Sequence, residues 1–363
     1  MNKRELTLNV VFIIGNGFDL HLNLKTKMKD FFTSYIFKKE NNRYIYDGNN
    51  LIYFLLFYRY FANGSYNYNY FRRVDNNDPT WMDIEGFIKK IATDSKIKKL
   101  LFEAYISVLK DTFYFTYNSS PITLPAKRIF EKRTISPSGS ESFINQMLLD
   151  DLVEFEKDFR TYMIEQVKTA NEYDKNKEIF LEKIVKQIFD KEESIILTHI
   201  YNFNYTSLGS AATYSSNVHG SLEKNVVIGF DSTTIKDYGE CIFELSKDWQ
   251  KVAIDESEID LKNLGSKHIV FYGHSLGEQD YPYFFEIFDQ LRLLEKASDT
   301  TLYFVYSEFG DVKEQQSFMR NYQINIAKLL NSYENYKNSS LIRNTIITKL
   351  KAQNRLKVVK IVD

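Results

Sequence analysis

The chain has 363 residues, 44% hydrophobic and 16% aromatic, which is enough apolar material for a packed core and unlike a disordered segment. Forty-seven basic residues against 48 acidic ones leave a net charge of -1, so no global pull toward nucleic acid or an anionic membrane is expected. The single cysteine, Cys241, excludes an intramolecular disulfide and a multi-cysteine zinc site, and no apolar run approaches the ~18 residues needed to cross a bilayer.

Val10 to Ile14 is a five-residue apolar run of the kind found in buried parallel strands. It stops at Gly15-Asn16-Gly17, followed by Phe18 and Asp19. A glycine pair after such a strand lets backbone approach a phosphate, although Leu20 stands where the dinucleotide fingerprint has a third glycine. Met28, Phe31, Phe32 and Tyr35 then recur at helical spacing. From Asn41 to about Lys191 the pattern is mostly helical, over 79–109, 142–167 and 176–190. Thr80 and Asp83 have the spacing of a capping box, and the proline-rich stretch 119–142 reads as a long surface loop.

After Glu193 short strand-like runs return at 194–205, 216–221, 225–231, 268–276 and 300–308. A helix pattern over 279–297 separates the last two, and a helical tail closes with a strand over 356–362. This alternation predicts an α/β fold: a Rossmann-like parallel sheet flanked by helices and interrupted by a large helical insertion. The expected division is 1–40 with 192–310 as a discontinuous nucleotide-binding core, 41–191 as the insertion, and 311–363 as C-terminal helices and a final strand on that core. No signal peptide is read at the N-terminus, and a cytoplasmic location is expected.

In an open parallel sheet, ligands bind beyond the carboxyl ends of the strands. Four loops in those positions combine small and polar residues: Gly15 to Asp19, Asn202 to Thr206, Val218 to Ser221 and Phe271 to Asp280. Together with the Trp81–Glu85 block, "WMDIE", they resemble in order and spacing the AbiH-type abortive-infection proteins, a phage-resistance family. A more distant resemblance is to sirtuin-like NAD-consuming proteins. Their glycine loop is similar to Gly15-Asn16-Gly17, their Asn-hydrophobic-Asp motif to Asn204-Tyr205-Thr206, their His-Gly pair to His219-Gly220, and their Gly-Thr-Ser loop to Gly273-His274-Ser275. Thr206 replaces the aspartate of that motif, and Asp19 sits where a serine is common. Deacetylating sirtuins carry a four-cysteine zinc module that this chain cannot build, so the resemblance implies NAD hydrolysis over deacylation.

The resemblance implies a defence effector that takes NAD as substrate or ligand, with no prosthetic group and no metal. Gly15, Asn16, Gly17 and Phe18 would hold phosphates, Asn204 would orient ribose or water, and His219 would act as the base. Asp19, Thr206, Gly220, Gly273, His274, Ser275 and Asp280 complete the expected ligand-binding set. Plainer roles stand beside these: a tight turn for the glycines, an Asx turn for Asn204, and an N-cap for Asp280. His21, His199 and His268 read as structural. Two other functions stand as alternatives, a metal-dependent nuclease using Asp83 and Glu85 and a non-catalytic nucleotide sensor. Expected partners are NAD or a related nucleotide and a second copy or another defence protein, with no membrane.

Overall fold

The computed structural model describes residues 7–41, 43–60, 81–109, 116–117, 120–121, 129, 140–189, 194–208, 215–232, 240–252, 268–295, 298–308, 310–337 and 345–362. The tyrosine- and asparagine-rich patch near residue 65 and most of the expected loop over 119–142 lie outside these residues. The chain divides into two compact units: residues 1–24, 169–221 and 256–363 in one, and 25–168 with 222–255 in the other.

The first unit is built on six strands: β1 (Thr7–Ile14), β2 (Ser194–Asn202), β3 (Ser215–Asn217), β4 (His268–Tyr272), β5 (Thr301–Ser307) and β6 (Leu356–Ile361). Each neighbouring pair is parallel, and the order across the sheet is β3-β2-β1-β4-β5-β6. This is the doubly wound order, and it reverses between β1 and β4. Val10, Val11, Phe12, Ile13 and Ile14 have no exposed surface, because β1 is central and covered on both faces.

One face, carrying Val11, Ile13, Phe271 and Phe304, packs on Phe284 and Phe288 of the Tyr281–Gln290 helix and on Leu329 and Leu330 of the Val312–Lys337 helix. The other face, with Val10, Phe12 and Ile14, packs on Phe180, Leu181 and Ile184 of the Tyr173–Ile188 helix. Side chains of this size contribute about 1.5–3 kcal/mol each when fully buried. Register slips by one residue between Val10 and Val11, which face Leu197 and His199, so Thr198 is an extra residue in β2.

The second unit is helical at Leu51–Tyr60, Trp81–Thr93, Ser95–Leu109 and Ser140–Thr169. Phe31, Phe32, Tyr53 and Phe155 form its aromatic core, with ring centroids 5.2–6.3 Å apart. The expected helix around Met28 tightens and then widens: Met28–Phe31 is α-helical and Phe32–Ile36 is a π-turn.

The run 225–231 is a correction. It reads as a strand, yet among the described residues it shows only isolated bridges, at Val226 and between Phe230 and Ser246. Its backbone is satisfied in other ways: Ile228 N–H donates to Glu156 Oε1 at 2.8 Å, and Ile228 O accepts from Gln250 Nε2 at 2.9 Å. Apolar residues signal burial, and here burial is met without a neighbouring strand.

Candidate functional site

The reversal of strand order makes the carboxyl ends of β1 and β4 the place to look for a ligand. Two expected loops meet there by backbone contact. Gly15 N–H donates to Tyr272 O at 3.0 Å, Gly17 N–H to Gly273 O at 2.8 Å, and Phe18 N–H to Gly15 O at 2.9 Å. A Cβ on Gly17 would lie 2.7 Å from Gly273 Cα, and Gly273 itself has φ +68 with room only for hydrogen. The glycines therefore serve a close approach of two loops. The three amides assigned from sequence to a phosphate are engaged within the protein, which leaves Asn16 as the other member of that set.

The loop after β2 ties into the same place through a ladder of asparagines. Asn202 Nδ2 donates to Thr206 O at 2.7 Å, Asn217 Nδ2 to Asn204 O at 2.8 Å, and Asn204 Nδ2 to Gly15 O at 3.1 Å. Asn202 and Asn204 are buried. Asp19, also buried, accepts from Tyr173 Oη at 2.7 Å and from Thr206 Oγ1 at 2.9 Å. Burial lifts its carboxyl to about 6, against the opposing pull of those two bonds and of Lys177.

Beside these loops, Asp280 lies between two histidines. Its Oδ1 is 3.1 Å from His219 Nε2 and its Oδ2 is 3.5 Å from His274 Nε2. His274 Nδ1 accepts the Leu276 N–H at 2.9 Å, so a neutral ring carries its proton on Nε2, toward Asp280. All three side chains are buried, with exposures of 6–7%. Phe203 sets its ring edge-to-face against both imidazoles, at 5.4 Å and 4.6 Å, and Tyr283 stands 6.1 Å from His219. Asp280 precedes the Tyr281–Gln290 helix but makes no side-chain cap; its carboxylate is given to the histidines. Leu276, with φ +57, and Gly220, with φ +79, hold left-handed backbone on either side of the cluster.

The sequence-derived set is thus drawn together within one unit. Ser275 is the outlier: its side chain is exposed and its carbonyl accepts from Asn325 Nδ2 at 3.0 Å. Phe203, Tyr173 and Tyr283 were not foreseen, since aromatic residues are too common in this chain to stand out. A second group was also missed: Tyr272 Oη is 2.9 Å from Ser307 Oγ, and His21 Nδ1 is 3.4 Å from each. His21 stacks on Phe180 at 3.9 Å, which fits its structural reading.

In the second unit, Glu85 is buried and paired with Lys247 Nζ at 2.7 Å. Trp81 and Asp83 lie on the Trp81–Thr93 helix, with side chains outside the described residues. Among the described residues, no group of three or more His, Cys, Asp or Glu side chains is placed to hold a metal ion, and no helix is long and apolar enough to cross a membrane.

No curated protein and no solved structure matches the chain significantly, so the sirtuin-like resemblance rests on its loop motifs alone. A family model described as "Bacteriophage abortive infection AbiH" matches residues 11–294, well over half of the chain and all four loops at the carboxyl edge of the sheet. The chain belongs to the AbiH family of bacteriophage abortive infection proteins.

Proposed function

We propose that this AbiH protein is an effector of abortive infection that hydrolyses the nicotinamide–ribose bond of NAD or a closely related nucleotide. The observation that carries the reading is the buried His219–Asp280–His274 cluster beside the strand-order reversal. Asp280 holds the His219 proton on Nε2, which makes Nδ1 the basic nitrogen that takes a proton from water or a ribose hydroxyl. Departure of nicotinamide develops an oxocarbenium-like charge on the ribose. Asn204, anchored through Nδ2 to Gly15 O, orients ribose or water with its carbonyl oxygen. Water adds to the sugar carbon, its proton passes to His219, and the products are nicotinamide and ADP-ribose.

The sensor reading keeps one observation in its favour: three amides of the glycine loop are occupied and both histidines are nearly enclosed. In that reading the same loops bind a nucleotide without turning it over. The nuclease reading loses one of its carboxylates, because Glu85 is held by a buried lysine.

The test is nicotinamide release from NAD, without added metal, by the wild type, His219→Ala and Asn204→Ala. Release by the wild type that falls at least a hundredfold in His219→Ala supports the hydrolase. Equal release by all three refutes the assigned base. Saturable NAD binding with no release by the wild type selects the sensor.

A further inference from the structure

The second unit contains a cavity of about 440 Å³ that the proposed chemistry does not use. Its volume falls in the range of small-molecule sites, ~300–1,000 Å³. One wall is a single face of the Ser140–Thr169 helix, where Leu149, Val153, Glu156, Lys157 and Arg160 recur at helical spacing. Val226 and Trp249 also line it.

The helix wall changes character along its length. It is apolar at Leu149 and Val153 and cationic at Lys157 and Arg160, a span of about 10 Å between Val153 and Arg160 at 1.5 Å per residue. Arg160 Nε is fixed by donating to Leu222 O at 2.7 Å, so the Nη edge of its guanidinium is the part left for a ligand. Trp249 is 48% exposed, an unusual position for an indole unless something covers it. Between the apolar and cationic ends sits Glu156, whose carboxyl burial lifts to about 8. Burial disfavours its charged form, so it opposes the two cations less than an exposed carboxylate would. Glu244 is a further carboxylate on the lining, and a ligand's anionic end is accordingly placed at the Arg160 side.

We propose that this cavity binds a nucleoside monophosphate, with the base stacked on Trp249 and beside Val153 and the phosphate on Arg160 and Lys157. The site is independent of the NAD reading and supplies a place for a regulatory nucleotide. An aromatic body joined to an anion matches both kinds of lining, whereas either part alone matches one.

The experiment is calorimetric titration of the full chain with AMP, adenosine and inorganic phosphate. AMP should bind at least tenfold more tightly than either fragment. Trp249→Ala and Lys157→Ala should each weaken AMP at least fivefold, while His219→Ala leaves it unchanged. Arg160→Lys, which keeps the charge and a donor, is a milder variant should Arg160→Ala fail to fold. Unchanged AMP affinity in both Trp249→Ala and Lys157→Ala overturns the proposal. So does loss of AMP binding in His219→Ala with retention in Trp249→Ala, or absence of AMP binding up to about 1 mM, a weak limit in affinity terms.

Discussion

Asp19→Asn separates the structural role of the glycine-loop carboxylate from any role in binding. Asp19 is almost fully enclosed, and burial lifts its carboxyl from 3.8 to about 6, only partly opposed by Tyr173, Thr206 and Lys177. At about 1.4 kcal/mol per pH unit, that displacement corresponds to about 3 kcal/mol. The folded state holds the proton more tightly than the unfolded chain. The stabilisation is therefore complete below pH 3.8 and is lost as pH rises through about 6. An asparagine in its place would keep the shape, and the Tyr173 and Thr206 hydroxyls can reorient toward an amide, but the amide cannot titrate. Urea unfolding of both proteins between about pH 4 and pH 7.5 reads the effect as a difference of two curves. Relative to Asp19→Asn, the wild type should lose about 2.4 kcal/mol across that interval, since part of the full stabilisation is already gone at pH 4. A flat difference would show that the two hydroxyl bonds offset the cost of burial in full, and the reasoning would fail.

Other outcomes follow from single contacts. Gly17→Ala places a Cβ 2.7 Å from Gly273 Cα and should cost about 3 kcal/mol, read as a lower thermal midpoint; an unchanged midpoint would mean that the two loops are not interlocked. Glu85→Gln removes the carboxylate from the buried Lys247 ammonium and should cost about 3–5 kcal/mol, much of it recovered in Glu85→Gln combined with Lys247→Met; no recovery in the double variant would assign the loss to something other than this ion pair. Asp280→Asn should cut nicotinamide release by a hundredfold or more with little change in stability, because His219 loses the carboxylate that fixes its tautomer. Release at the wild-type rate would remove Asp280 from the mechanism.

The sheet was legible because β1 and β4 are central and covered on both faces, which forces uninterrupted apolar runs such as Val10 to Ile14 and Val270 to Tyr272. The run 225–231 broke the rule because side chains of Glu156 and Gln250 take the place of a neighbouring strand, and nothing local announces partners 72 and 22 residues away. At the site, residue types at loop ends were readable and their pairing was not. Asp280 stands where an N-cap stands, and only the fold shows that its carboxylate faces His219, 61 residues earlier. Tyr173 reaches Asp19 across 154 residues from a segment whose own pattern says only helix.

The glycine loop carries the sharpest tension between motif and structure. A phosphate cradle needs outward-facing amides, and the amides of Gly15, Gly17 and Phe18 are already donating to Tyr272 O, Gly273 O and Gly15 O. Buried donors are rarely surrendered without replacement, since each costs about 1–3 kcal/mol when left unpaired. Two ways of meeting a nucleotide follow. In one, Asn16 and the side chains of Asn204 and His219 make the contacts, and the interlocked loops stay as they are. In the other, the Gly273 loop withdraws and the phosphate replaces its carbonyl. Amide hydrogen exchange at Leu276, whose N–H donates to His274 Nδ1 within the Gly273 loop, distinguishes them: the first requires equal protection with and without NAD, the second requires faster exchange with NAD bound. The interlock of Gly17 with Gly273, in which neither position tolerates a Cβ, favours the first. Faster exchange of Leu276 with NAD bound would refute that choice.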